Sequence, residues 1–213
     1  MIELKNVKKS FGDKTVFDDL NLTIRDKEFV VFSGNSGCGK TTILNIIGGI
    51  EEIDGGCVLI DGIDISGLKN RMEYYRNKVG FLFQNFALVE TKTVRENLEM
   101  IYKKSRSEVT IEEALGTVGL ADRMNTKVYK LSGGEQQRIA AARLMIKKCS
   151  IVLADEPTGS LDSKNSDIII DLLKKMNRGG KTVVLVTHEE RLKTVGDRNI
   201  VLEGLGRKAD LKP

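Results

Sequence analysis

Short runs of consecutive apolar residues recur along the chain and alternate with segments that have helical spacing. The four clearest runs lie at 29–32, 79–83, 151–154 and 182–186. Because an apolar run without polar alternation suits a strand that is buried on both faces, each run predicts a strand of a mostly parallel sheet. Alternation of such strands with helices favours an α/β fold.

The clearest helical pattern lies between the third and fourth runs. From Asn165 to Met176 the positions that face one side of a helix are mainly apolar. Ser163 is the predicted N-cap, since its hydroxyl can accept a hydrogen bond from the first turn. The pair Gly179-Gly180 is predicted to end the helix.

The first 28 residues show a different pattern, in which apolar and polar positions alternate. This alternation predicts half-buried antiparallel strands around Ile2–Val7 and Val16–Ile24, with one more near 58–60. Residues from about 93 to 130 are charged and mostly helical, and they interrupt the series of buried strands. We therefore expect one domain over 1–213, with a core at about 1–92 and 150–213 and an inserted helical subdomain at about 93–149.

Composition and charge fit a folded, reduced, intracellular protein. Of 213 residues, 40% are hydrophobic and 30% charged, and the net charge of +4 comes from basic residues interleaved with acids. That distribution predicts a solvated surface, so no nucleic-acid partner is expected. The three cysteines form no CxxC pair, which argues against a disulfide framework. We find neither the apolar core of a signal peptide nor a run of ~20 apolar residues that could span a bilayer.

A phosphate-binding loop is predicted after the first apolar run. Its residues fit the pattern G-x-x-x-x-G-K-[ST] and are Gly34, Asn35, Ser36, Gly37, Cys38, Gly39, Lys40 and Thr41. A strand before the loop and a helical segment from Thr42 after it are the context that the pattern requires. Backbone N–H groups and the helix N-terminus would bind an anion, with Lys40 at the β and γ phosphates and Thr41 at Mg²⁺. We interpret Cys38 as a small filler residue, although helix N-termini can also activate thiols.

Two acids follow the third apolar run directly. A carboxylate at the end of a buried strand is costly unless it is paired or near a metal. Asp155 is therefore predicted to bind Mg²⁺ together with Thr41 and the phosphates. Glu156, one residue further, is placed to orient or deprotonate an attacking water.

With these residues in hand, the whole chain resembles the ABC ATPases. Residues 131–138, LSGGEQQR, match the signature of that family, and residues 160–162 match its D-loop. Gln84 matches the Q-loop glutamine, His188 the switch histidine, and Phe11 the aromatic that stacks on adenine, where Tyr is commoner. The resemblance implies a P-loop NTPase core with an antiparallel β subdomain and an α-helical subdomain.

The resemblance also implies a mechanism with two chains. Each signature, through Ser132, Gly133 and Gly134, would cap the Mg-ATP that is bound to the phosphate loop of the other chain in an ATP-dependent homodimer. The implied nucleotide contacts include Thr42 and Asp162. Gln84 is implied both as a metal ligand and as a catalytic residue. Glu156 would polarise the water, with His188 holding the γ-phosphate or the water in line.

Separate membrane-spanning permease subunits are the implied partners, which places the chain at the cytoplasmic face of the cell membrane. The permease would dock around 84–97, with Phe86, Ala87, Leu88, Val89 and Val94 as candidates. The run 154–162 is typical of a subgroup that serves macrolide export, lipoprotein release, antimicrobial-peptide or bacteriocin export and a cell-division complex. We favour export of a peptide, bacteriocin or drug-like substrate. A regulatory ABC ATPase that signals through a membrane partner and an iron–sulfur-assembly ATPase remain alternatives.

Overall fold

The computed structural model describes residues 1–203, so residues 204–213 of the predicted core part 150–213 lie outside the described residues. The chain divides into two compact units. The flanking unit comprises Met1–Arg71 and the described residues from Val184 onward, and the middle unit comprises Met72–Val183. Within residues 1–203, no helix is both long enough and apolar enough to cross a membrane.

Strands and helices alternate along the chain as the sequence predicted. The strands are β1 (Ile2–Phe11), β2 (Lys14–Ile24), β3 (Phe29–Ser33), β4 (Gly55–Ile60), β5 (Ile63–Asp64), β6 (Val79–Phe83), β7 (Ile151–Asp155), β8 (Thr182–Val186) and β9 (Arg198–Val201). The α-helices are α1 (Lys40–Ile47), α2 (Met72–Asn77), α3 (Val94–Glu99), α4 (Ile111–Thr117), α5 (Gly133–Ile146) and α6 (Ser163–Arg178). Short 3₁₀ helices lie at Lys103–Ser105, Ala121–Arg123, Val128–Lys130 and Glu190–Leu192.

The flanking unit contains the predicted antiparallel sheet, in the order β2-β1-β4-β5. Alternating side chains of β1 and β2 are buried, which is the pattern of a sheet with one face on the core. The same unit holds the parallel pair of β3 and β9, and every residue of β3 is buried. This pair positions the segment that joins β3 to α1.

The middle unit contains the parallel pair of β6 and β7 and helices α2 to α6. The four strands predicted from apolar runs are therefore present as β3, β6, β7 and β8. The α/β class, with parallel strands, an antiparallel N-terminal sheet and helices, is confirmed. The borders of the helical subdomain at about 93–149 stay a prediction.

Two helix starts differ from the sequence prediction. The N-cap of α6 is Asp162, not Ser163, because the Asp162 carboxylate accepts a hydrogen bond from the N–H of Asn165 while Ser163 is already helical. Helix α1 begins at Lys40, so Lys40 and Thr41 belong to its first turn. The predicted helical segment began only at Thr42.

Candidate functional site

The phosphate loop joins β3 to α1 in a conformation that depends on glycine. Gly39 has φ 102° and forms the N-cap of α1, and a Cβ there would lie 2.7 Å from Cγ1 of Val16. A larger residue is therefore excluded both by the backbone and by its neighbour. The first turn of α1 has no side-chain cap and no acidic residue. Its backbone N–H groups are arranged to bind an anion.

Lys40 is buried and turned into its own loop. Its Nζ donates to the carbonyl oxygens of Gly34 at 2.8 Å and Asn35 at 2.9 Å. The carboxylate of Glu203 accepts from the N–H of Asn35 at 2.7 Å and braces the start of the loop. At the end of β3, the buried hydroxyl of Ser33 has no hydrogen-bond partner within residues 1–203. Backbone donors, a lysine and an unsatisfied hydroxyl fit the phosphates of a nucleotide.

The other candidate residues of the flanking unit lie at strand ends. Phe11 ends β1 with 49% of its surface exposed, and the ammonium of Lys9 lies 4.7 Å from the centre of its ring. His188 is exposed two residues after β8. The preceding Thr187 is buried and donates its N–H to Phe32 O at 3.1 Å, which fixes the chain where His188 begins. Cys38 is buried, in agreement with its interpretation as a filler residue.

In the middle unit, the Q-loop glutamine and the first acid meet at one cavity. Gln84, Asp155 and Ser160 line an open cavity of about 570 Å³ that follows the ends of β6 and β7. A Cβ on Gly159 would lie 3.1 Å from Nε2 of Gln84, so the amide packs against that segment. Glu156 comes next to Asp155 with φ 43°, a left-handed conformation that costs energy for a residue other than glycine. This geometry turns the chain sharply between the two acids.

The signature forms the start of α5. Ser132 is the N-cap, and its hydroxyl accepts from the N–H of Glu135 at 3.3 Å, while the Glu135 carboxylate accepts from the N–H of Ser132 at 2.8 Å. That backbone hydrogen bond holds the pKa of Glu135 below its ordinary value. Gly133 and Gly134 occupy the first helical positions, whose N–H groups have no intrahelical acceptor. The signature therefore begins a helix, and the binding of an anion there stays a prediction.

The D-loop leads directly into α6. The Asp162 carboxylate accepts from the backbone N–H of Asn165 at 2.8 Å and from its side-chain Nδ2. The backbone hydrogen bond, followed by the side-chain one, keeps the pKa of Asp162 low. Asp162 is thus a helix cap, whatever nucleotide contact it makes in addition.

Known proteins match nearly the whole chain. Residues 17–159 match the family model described as ABC transporter. The chain is 42% identical to the ABC transporter ATP-binding protein YknY of Bacillus subtilis, over 98% of this chain and 99% of that protein. It is 41% identical to the lipoprotein-releasing system ATP-binding protein LolD of Porphyromonas gingivalis, over 93% of this chain and 94% of that protein. The chain belongs to the ABC transporter family.

A solved relative extends the likeness to the fold. The dimeric ATP-binding cassette MJ0796 of Methanocaldococcus jannaschii, in a post-hydrolysis state bound to ADP and Pi, matches with a TM-score of 0.84 and 38% identity. The match covers 100% of both chains. The protein is therefore an ATP-binding and ATP-hydrolysing ABC cassette, and the predicted family, P-loop NTPase fold and ATPase activity are confirmed.

The structure of this ABC cassette adds two residues that the sequence interpretation missed. Gln137 is fully buried, and its Nε2 donates to Pro157 O at 2.7 Å and to Phe83 O at 3.3 Å. The guanidinium of Arg143 donates to the carbonyl oxygens of Phe86 and Ala87. The sequence held a signal for Gln137, because this residue shares the buried face of α5 with Ala141 and Leu144. A polar residue in such a stripe needs a partner.

A second cavity in the middle unit, of about 370 Å³, lies outside the nucleotide motifs. Its lining residues are Tyr75, Arg76, Phe81, Phe83, Met100, Ile101, Tyr102, Ser105, Arg143, Leu144 and Lys147. Aromatic and aliphatic surface predominates, three cations are present, and no acid lines it. Burial lowers the pKa of Arg143 and of Lys147. We name this feature the basic cavity.

The basic cavity lies beside the surface that the sequence proposed for docking. Phe86 and Leu88 are partly buried and Val89 is exposed. Val94 is fully buried at the start of α3 and is therefore no part of an exposed surface. The prediction of an apolar surface was wrong for Val94, because a residue that opens a short helix packs its side chain inward.

Proposed function

We propose that this ATPase works as an ATP-dependent homodimer that drives separate membrane-spanning permease subunits. The observation that carries the proposal is the presence, in one chain, of two glycine-containing helix starts whose first N–H groups have no intrahelical acceptor. One is the phosphate loop before α1, and the other is the signature before α5. The likeness to a dimeric cassette bound to ADP and Pi supports an assembly in which the signature of one chain completes the phosphate site of the other.

The proposed roles follow the motifs. Lys40 and the N–H groups of the loop hold the phosphates, with the adenine stacked on Phe11. Glu156 orients the attacking water and takes its proton, and His188 keeps the γ-phosphate in line. The signature residues cap the nucleotide that is bound to the second chain; they are Ser132, Gly133 and Gly134. Asp162 contacts the nucleotide as well. Preorganised donors at the places where charge develops are the main source of rate in phosphoryl transfer.

Mg²⁺ is the proposed metal. Within residues 1–203, no group of three or more His, Cys, Asp or Glu side chains is arranged to hold an ion. Proteins bind Mg²⁺ through one or two side chains together with substrate phosphates. Thr41, Gln84 and Asp155 would provide these ligands. When bound, the ion neutralises charge on the phosphate oxygens.

The proposed cargo is a peptide, bacteriocin or drug-like substrate that is exported. The run 154–162 and the likeness to LolD, a protein of a lipoprotein-releasing system, support membership of that subgroup. The chain would then lie at the cytoplasmic face of the cell membrane, held there by its permease.

The basic cavity supports a permease as the partner. Arg76, Arg143 and Lys147 bring positive charge to an apolar surface. Arg143 and Lys147 donate to backbone carbonyl oxygens, and no acid among the lining residues neutralises the charge. Buried charge without a counter-ion is costly, so an incoming acidic group would be favoured. We therefore propose that the occupant is a short permease segment with apolar side chains and at least one carboxylate.

The Glu156→Gln variant tests the proposed function. We expect loss of ATP hydrolysis, because Gln cannot accept the proton of the water. We also expect gel filtration to show monomers without nucleotide and dimers with Mg-ATP. The ATP-bound dimer should accumulate, because ATP is no longer hydrolysed within it. Lys40→Ala in the same background is the control and should stay monomeric. Hydrolysis at the parent rate by Glu156→Gln would contradict the role of Glu156.

A further inference from the structure

One carboxamide connects the signature helix to the D-loop. The Nδ2 atom of Asn165 donates to both carboxylate oxygens of Asp162, at 3.0 and 2.9 Å. Its Oδ1 atom accepts a hydrogen bond from Nη1 of Arg138, in the second turn of α5. The donor end of the amide therefore binds one motif and its acceptor end binds the other.

Asparagine is well suited to this position. Arg138 can only donate and the ionised Asp162 can only accept, so the connecting side chain needs one acceptor and one donor on a short stem. A carboxylate would lack the donor and would repel Asp162. A hydrocarbon side chain would satisfy neither partner.

The signature backbone approaches the same amide closely. A Cβ on Gly134 would lie 2.5 Å from Cγ, 2.6 Å from Nδ2 and 2.7 Å from Oδ1 of Asn165. The backbone of Gly134 is not in the left-handed region, so contact with Asn165, rather than conformation, excludes a side chain there. The amide thus packs directly beneath the helix start that would face the nucleotide of a second chain.

We propose that Asn165 is a positioning residue that holds the signature turn and the D-loop in fixed relation. This inference rests on the proposed function, in which both motifs meet the second chain when the ATP-bound dimer closes. In this proposal Asn165 acts through the two motifs that it connects. Its effect falls on closure and on the turnover that depends on closure, and it leaves the binding of nucleotide to the phosphate loop unchanged.

The test compares Asn165→Ala with a matched variant, Asn177→Ala. Asn177 lies near the other end of α6, and its Nδ2 donates to Lys181 O at 3.0 Å. In the Glu156→Gln background with Mg-ATP, we expect Asn165→Ala to weaken dimerisation about tenfold by sedimentation equilibrium, the effect of losing a hydrogen bond to a charged group. The affinity of the monomer for ATP should change less than twofold. Asn177→Ala should lower Tm to a similar extent and leave dimerisation unchanged.

Steady-state kinetics of chains that retain Glu156 provide a second readout. Asn165→Ala should lower kcat at constant KM for ATP, whereas Asn177→Ala should change neither. If Asn165→Ala does not fold, Asn165→Asp carries the test, because it keeps the size and the acceptor for Arg138. It should weaken dimerisation, because its carboxylate lacks the donor for Asp162 and repels it.

Two outcomes overturn different statements. Dimerisation within twofold of the parent, together with an unchanged kcat for Asn165→Ala, overturns the role of Asn165 alone. Absence of an ATP-dependent dimer in Glu156→Gln itself overturns the proposed function and this inference with it.

Discussion

Gln137 is a buried amide that connects two loops of the site to the signature helix. Its Nε2 donates to the carbonyl of Pro157, next to Glu156, and to the carbonyl of Phe83, next to Gln84. Its Oε1 atom is buried without a partner within residues 1–203. The donor end of the amide is therefore fully used, whereas its acceptor end is not.

We expect Gln137→Met to destabilise the protein and to slow hydrolysis. Pro157 O would lose the donor that Gln137 supplies, and Phe83 O would keep the N–H of Phe86 but lose the side-chain donor. We expect these losses to lower the free energy of unfolding by about 1–3 kcal/mol. The loops that carry Gln84 and Glu156 would also lose a fixed anchor, so kcat should fall. Urea denaturation and the ATPase rate measure the two effects.

The neighbouring Gln136 supplies a matched control for this prediction. Its Nε2 donates to Leu131 O at 3.0 Å, and the residue is partly exposed. Gln136→Met should cost less than about 1 kcal/mol. Equal losses of stability for the two variants would contradict the anchoring role of Gln137.

Residue roles were predictable from the sequence only where a motif specifies them. The glycines of the phosphate loop and Ser132 stand in patterns whose chemistry requires those residue types, and the structure places them at helix starts. The contact of Asn165 with Arg138 joins positions 27 residues apart, and no periodicity records such a contact. Asp162 and Ser163 are both good N-caps, so only the backbone geometry decides between them.

At the scale of elements, three helices of the middle unit begin with the same reciprocal arrangement. In α3, α4 and α5 a Ser or Thr caps the helix and a Glu three residues later bonds back to the cap: Thr93 with Glu96, Thr110 with Glu113 and Ser132 with Glu135. In each case the backbone N–H of the cap residue holds the pKa of the glutamate below its ordinary value. Ionised glutamates therefore stabilise all three helix starts.

We expect this stabilisation to disappear in acid. A carboxyl group with a lowered pKa stabilises the fold above its ordinary pKa of 4.5, and the contribution is lost as the pH falls through the lowered value. The free energy of unfolding, from urea titrations between about pH 6 and pH 3, should therefore decline as the pH is lowered. The triple variant Glu96→Gln, Glu113→Gln, Glu135→Gln keeps hydrogen-bonding side chains without the charge. Its decline should be shallower, and an identical slope would contradict the prediction.

Elements were predicted well where burial is continuous and poorly where helices are short. The four apolar runs became strands, since a run of four or five buried residues has few alternative structures. Helices α3 and α4 have only 6 and 7 residues, too few for a full apolar stripe. Their capping pattern, rather than their periodicity, marks where they begin.

At the scale of the whole molecule, the small positive charge is less informative than its placement. The chain carries 34 basic and 30 acidic residues, so the numbers of positive and negative charges nearly balance. The basic cavity departs from this balance, because its three cations have no acid among the lining residues. An apolar, positively charged recess on a cassette of a transporter family is the feature that a membrane-bound partner would use.

Reversing one charge of the basic cavity should therefore weaken attachment to membranes. Arg76 lies at the rim, 4.7 Å from the centre of the Tyr102 ring, and is exposed. Arg76→Glu would repel an acidic permease segment, so less protein should sediment with membrane vesicles from cells that contain the permease, and the difference should shrink at high salt. The ATPase rate of the isolated protein should not change, because Arg76 is exposed and belongs to none of the nucleotide motifs. Arg178→Glu, an exposed charge reversal at the end of α6, should sediment like the parent. Equal sedimentation of both variants and the parent would show that the basic cavity does not hold the partner.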